Sequence, residues 1–184
     1  LQERAEDDIM TVLSGGRTDV IGLDDLLLAI KKAKNNDKVK GIYIQSGLFA
    51  SDSYASLQAV RKALVDFKKS GKWIVAYGDV YTQATYYLSS VADKVYLNPS
   101  GQVEWSGICS QTMFVKDLMA KFGVKMQVVK VGAYKSATEM FTGDKMSDAN
   151  KEQVSAFING IWNTVCTDVA KSRKVTVAQL NQYA

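Results

Sequence analysis

Residues 73–97 read WIVAYGDVYTQATYYLSSVADKVYL. Trp73 to Tyr77 is a short run of β-branched and aromatic residues, the composition of a buried strand. Thr82 to Val91 carries no proline or glycine and reads as a helix. Lys94 to Leu97 then reads as a second strand. Strand, helix and strand within so short a span make a parallel crossover unit, which points to a mainly parallel sheet with helices packed on it.

The same alternation extends in both directions. Upstream, Asp24-Asp25 open a helix whose apolar face is Leu26, Leu27, Ile30 and Ala33, because acids suit the positive end of a helix. Val39 to Gln45 is a strand. Ser51 to Ser53 open a helix with Leu57, Val60, Leu64 and Phe67 at helical spacing, and Ser70-Gly71 end it. Downstream, Asn98-Pro99-Ser100-Gly101 is a turn around the single proline. A short strand is expected over Trp105 to Ile108, a helix over Val115 to Phe122 stopped by Gly123, and a strand over Val124 to Val131. Ser147 caps a long helix whose face is Val154, Phe157, Ile158, Ile161, Val165 and Val169, and a last helix starts near Val177. Residues 1–19 form a polar lead-in with Gly15-Gly16, and residues 20–184 form one α/β domain without linker or repeat.

Composition narrows the chemistry. The 184 residues are 47% hydrophobic and 23% charged, the balance of an ordinary globular chain. A net charge of +4 without a basic run gives no nucleic-acid footprint. The chain has no histidine, which removes Ser-His-Asp and Cys-His catalysis and histidine-ligated zinc from this chain. Cys109 and Cys166 form no metal-ligand spacing and are read as small buried hydrophobes. No cofactor or metal site is implied. No apolar run approaches the roughly 20 residues of a membrane span, so the stretch itself reads as soluble. It begins at Leu1 rather than Met, which fits a piece of a longer protein.

The chemistry-bearing loop is Gly132-Ala133-Tyr134-Lys135-Ser136-Ala137, at the exit of an expected strand. In open α/β sheets such loops are where sites are built. A lysine there, flanked by small residues, is placed to sit partly buried, which disfavours its ammonium form. A neutral amine can take the proton of a serine hydroxyl, the Ser–Lys form of nucleophile activation. On spacing alone, a solvated loop lysine is the blander reading. Ser136 is placed to orient Lys135. Ser89, Ser90, Ser106 and Ser110 are hydroxyls near strand ends. Asp144, Asp148 and Glu152 suit the start of the long helix. Trp73, Tyr77, Tyr81, Tyr86 and Tyr87 suit core packing and subunit contact, and also a groove for apolar peptide residues.

From about Val20 onward the chain resembles the N-terminal domain of the signal peptide peptidase A (protease IV) family. The resemblance rests on Asp79 to Ser90 followed by Ala92 to Pro99, on Val131 to Ala137, and on Gly143 to Ser147 leading into a long helix, in that order. It implies a ClpP/crotonase-like fold and a Ser–Lys dyad, with Lys135 as general base. The family's serine position falls on Gln83, which has no nucleophilic oxygen, and Ala84 and Thr85 stand where the family has two glycines. The resemblance therefore implies a lysine-donating half whose serine lies on a tandem C-terminal domain. It further implies apolar signal peptides as substrates, a homotetramer, and a parent protein in the cell inner membrane facing the periplasm. Two alternatives stay open: a non-catalytic scaffold domain of the same fold, and, more remotely, a crotonase-type acyl-CoA enzyme.

Overall fold

The computed structural model describes residues 21–47, 53–129, 131–132 and 134–184. The lead-in assigned to residues 1–19 lies outside them. The described residues up to Ser106, together with Val165–Ala184, form one compact unit, and those within Gly107–Thr164 form a second.

The first unit is built on three parallel strands in the order β1-β2-β3: β1 at Gly41–Ser46, β2 at Trp73–Tyr81 and β3 at Lys94–Val103. Gly41 pairs with Trp73 and Val75 with Lys94. Helices α1 (Leu23–Asn35), α2 (Tyr54–Lys68) and α3 (Gln83–Ser89) connect or precede these strands. The expected strand–helix alternation is present through Val103.

Local chemistry sets the helix ends. Ser53 Oγ accepts the Ser56 N–H, and Thr82 Oγ1 accepts the Thr85 N–H, each satisfying a donor that a helix start leaves free. After α2 the chain turns at Gly71, whose φ of 76° is a conformation that glycine adopts without a Cβ clash. Lys72 Nζ donates to the carbonyls of Ala33, Lys34 and Asn36, each at 2.8 Å, and so closes the C-terminal end of α1.

The core lies on one face of the sheet. Ile74 and Ala76 of β2 are fully buried against Ile30 of α1 and against Val60, Leu64 and Phe67 of α2. Alternate residues point the other way, because strand side chains alternate. Tyr43, Trp73 and Tyr96 on that second face are exposed. The aromatic residues therefore divide. Tyr81 and Tyr87 are core residues, and Trp73 is not.

The expected turn at residues 98–101 sits inside β3 as a large bulge. Gly78 pairs with Leu97 and Val80 with Gln102, so the four residues Asn98 to Gly101 stand opposite Asp79 alone. Asn98 Nδ2 donates to Asp79 Oδ1 at 2.7 Å, and the Ser100 N–H donates to Asn98 Oδ1. The turn residues make their turn, and the ladder resumes beyond it. The separate strand expected over residues 105–108 is not formed. The Glu104 N–H still reaches the Tyr81 carbonyl, and then Trp105 leaves the ladder and its indole donates to the Leu180 carbonyl.

A buried cation joins the helices of this unit. The Arg61 guanidinium donates to the carbonyls of Tyr87 and Asp168 and to the hydroxyls of Ser90 and Ser172. It lies 4.8 Å from the centroid of the Tyr87 ring, and Tyr87 Oη donates to Asp168 Oδ2 at 2.5 Å. Burial, then the hydrogen bond to Asp168, push the Tyr87 phenol up. Burial pushes the Arg61 guanidinium down, against the raising effect of Tyr87 and Asp168.

The second unit contains α4 (Lys116–Lys121), stopped at Gly123 with φ 72°, and α5 (Glu139–Thr142). It also holds the residues of α6 (Asp148–Arg173) up to Thr164. The strand expected over Val124–Val131 does not form: residues 124–129 are neither helix nor strand, and Val129 and Val131 are 98% and 85% exposed. Strand propensity describes a fit to a half-buried ladder, and no described strand pairs with this segment. The expected apolar face of α6 is buried only at its end. Val165 and Val169 are fully covered, whereas Phe157 is exposed. The chain closes with α7 (Val177–Tyr183), whose Thr176 and Gln179 form a capping box.

The cysteines separate. Cys166 is buried, which pushes its thiol up, whereas Cys109 is exposed and not the buried hydrophobe expected of it.

Candidate active site

Two places carry the expected chemistry, one in each unit. The first is the end of β2. The strand leaves its ladder at Tyr81, Thr82 caps α3, and Gln83 is the first helical residue. A sharp strand-to-helix step of this kind can present a side chain at the carboxyl end of a sheet. Gln83 is 8% exposed, and its amide donates to Tyr54 Oη at 3.0 Å. The position carries a carboxamide with no nucleophilic oxygen. Ser89 and Ser90, also weighed as hydroxyls near strand ends, are fully buried structural groups. Ser89 bonds Ser46, and Ser90 accepts from Arg61.

The second place is the loop after residue 129. It forms one wall of an open groove of about 640 Å³, with Val129, Val131, Tyr134 and Lys135 on the loop side and Val154 and Phe157 on α6. Lys135 is exposed, not partly buried. Tyr134 Oη donates to Glu152 Oε2 at 3.3 Å, so Glu152 holds the loop as well as suiting a helix start. Asp144, expected at the start of the long helix, stands before it and pairs with Lys116 at 2.9 Å. That hydrogen bond pushes the Lys116 ammonium up. The Ser136 carbonyl accepts the Glu139 N–H at 2.9 Å.

Sequence reasoning passed over Glu139. This carboxylate is 7% exposed and accepts hydrogen bonds from Ser147 N–H, Ser147 Oγ–H and Asn150 Nδ2. No local spacing marks Glu139, Ser147 and Asn150 as partners; the fold brings them together. Among the described residues, no cluster of three or more acids and thiols stands where it could hold a metal ion.

The model of peptidase family S49 matches residues 66–184, a span that runs from the end of α2 through the Lys135 loop to the end of the chain. The chain belongs to peptidase family S49. Members of this S49 family are ClpP-like, and the parallel sheet with packed helices is the fold class that the sequence implied. The chain is 36% identical to Protease 4 of Salmonella typhi over 167 residues, which is 91% of this chain and 27% of that protein. It is 32% identical to Protease 4 of Haemophilus influenzae over 151 residues, 82% of this chain and 25% of the relative. It is 28% identical to the chloroplastic serine protease SPPA of Arabidopsis thaliana over 132 residues, 72% of this chain and 19% of the relative. The chain thus spans about a quarter of the length of the two bacterial S49 relatives. No helix of the described residues is long and apolar enough to cross a membrane.

Proposed function

We propose that this chain is the base-donating part of a serine endopeptidase acting on apolar peptides such as cleaved signal peptides, with Lys135 as the general base. The observation that carries the reading is the position of Lys135 on the wall of an apolar groove, in an S49 chain without histidine. With Gln83 at the expected nucleophile position, the serine comes from a second domain of the same protein, within a homo-oligomer held at the inner membrane on its periplasmic side.

The chemistry is acyl transfer. The partner serine's Oγ forms a bond to the scissile carbonyl carbon, and its proton passes to Lys135 Nζ. The C–N bond breaks, and that proton leaves with the amine. Water then hydrolyses the acyl-enzyme, with the same lysine accepting and returning a proton. A peptide and a protein surface lying over the groove would exclude water from the exposed amine, and burial disfavours the ammonium form. The groove's valines and Phe157 suit apolar side chains.

The test is peptidase activity of the full-length protein with Lys135→Ala, checked for folding and assembly. Loss of roughly 10²–10⁴-fold in kcat is expected of a missing general base. Retention of activity refutes the assignment. It would favour a second reading, a scaffold domain, which the buried Gln83–Tyr54 pair at the nucleophile position supports.

A further inference from the structure

Glu139 ties together the two walls of the Lys135 groove, and the proposed proton transfer makes no use of it. Its backbone opens α5 directly after the loop. The Glu139 N–H donates to the Ser136 carbonyl at 2.9 Å, and its own carbonyl accepts the Gly143 N–H at 2.7 Å. Its side chain reaches α6. Oε1 accepts Ser147 Oγ–H at 2.6 Å, while Oε2 accepts Ser147 N–H at 3.1 Å and Asn150 Nδ2 at 3.0 Å. Ser147 Oγ in turn accepts the Asn150 N–H at 3.2 Å. Asn150, like Val154 and Phe157, lines the groove from α6.

One nearly buried carboxylate thus fastens the residue next to Lys135 to the first turn of the helix that makes the opposite wall. Charge-assisted hydrogen bonds are stronger and shorter than neutral ones, and a negative group is favoured at a helix start. A helix cap alone would need one side-chain acceptor. Here the acceptor is rooted four residues beyond Lys135 and makes three bonds. Proton transfer demands such anchoring, since a displacement of about 1 Å can cost on the order of 10²-fold in rate.

We propose that Glu139 is a positioning residue for Lys135, setting the lysine's place on the groove wall through Ser147 and Asn150. This rests on the general-base reading of Lys135. The test measures kcat and KM of the full-length protein on an apolar peptide amide, for Glu139→Gln, Ser147→Ala and Lys135→Ala, with thermal midpoint and assembled mass recorded. Glu139→Gln keeps the side chain's shape but turns an amide towards donors. The expected result is kcat lower by about 10–100-fold with KM within about threefold of wild type and the assembly intact. Ser147→Ala, which removes the Oγ–H bond to Glu139 and the acceptor of the Asn150 N–H, should lower kcat by about three- to tenfold, and it decides the matter if Glu139→Gln does not assemble. A folded Glu139→Gln protein with kcat within about twofold of wild type overturns the proposal. So does a fall in kcat that only tracks loss of assembled protein or a parallel rise in KM. An active Lys135→Ala protein refutes the base reading and this inference with it. An inactive Lys135→Ala beside a normal Glu139→Gln refutes the positioning role alone.

Discussion

Replacing Arg61 with Met should cost this chain about 3–5 kcal/mol of unfolding free energy, the range for breaking a buried charge cluster by removing one member. The Arg61 side chain is 3% exposed. Its two terminal nitrogens serve four acceptors: two carbonyls and two serine hydroxyls. Hydrogen bonds to charged groups contribute roughly 1.5–3 kcal/mol each in isolation, but bonds made by one group are not additive. Met fills the aliphatic path but removes all four donations, and Asp168 loses the cation 3.9 Å away. With a urea m-value of about 2 kcal/mol/M, the midpoint should fall by roughly 1.5–2.5 M, followed by far-UV circular dichroism. Tyr87→Phe removes only the 2.5 Å bond to Asp168 and should cost about 1–2 kcal/mol. The double variant should lose less than the sum, because the two side chains share Asp168. A midpoint shift under about 0.5 M for Arg61→Met, or strict additivity, would show that the cluster is not a coupled support and sink the argument.

Two further outcomes follow from single contacts. Burial acts to raise the Asp93 carboxyl, but the hydrogen bonds from Lys68 at 2.7 Å and the Ile74 N–H at 2.8 Å outweigh it and hold the group below its usual range. A depressed folded value adds stability above the unfolded value of about 3.9, and that stability is lost as pH falls through the folded value. Asp93→Asn should therefore flatten the acid limb of a thermal-midpoint curve below about pH 4. At pH 7 it should cost under about 1 kcal/mol, because the pair is partly exposed; an unchanged acid limb would contradict this. Gly101→Ala places a Cβ 2.2 Å from the Asp79 carbonyl oxygen, whereas a Cβ on Gly47 meets nothing within 4 Å. The first should lose about 1–3 kcal/mol and the second stay within about 0.5 kcal/mol, so equal thermal midpoints would refute the close approach at the bulge.

The site was partly legible. Lys135 is one lysine among many and stands out only because residues 131–137 resemble the family's lysine segment; spacing alone reads as a solvated loop lysine. Gln83 is legible as a departure for the same reason: a residue type decides whether a nucleophile exists. Glu139 is not legible in this way. One acid among many becomes a bracket only when the chain returns Ser147 and Asn150 to it. Nor does the sequence show that Lys135 is exposed, since burial is a property of neighbours rather than of spacing.

The sequence by itself determined the alternation of strands and helices through Leu97, the helix openings at Ser53 and Ser147, and the stops at Gly71 and Gly123. These depend on periodicity, hydroxyl caps and the freedom of glycine, all local. Tertiary structure decided what local chemistry leaves undetermined. It placed the 98–101 turn inside a ladder, because Asp79 supplies Asn98 with an acceptor across the strand. It left Val124–Val129 unpaired despite its β-prone composition, because a strand exists only where another offers its backbone. It also buried Arg61, because acceptors from residues 87, 90, 168 and 172 converge on one guanidinium.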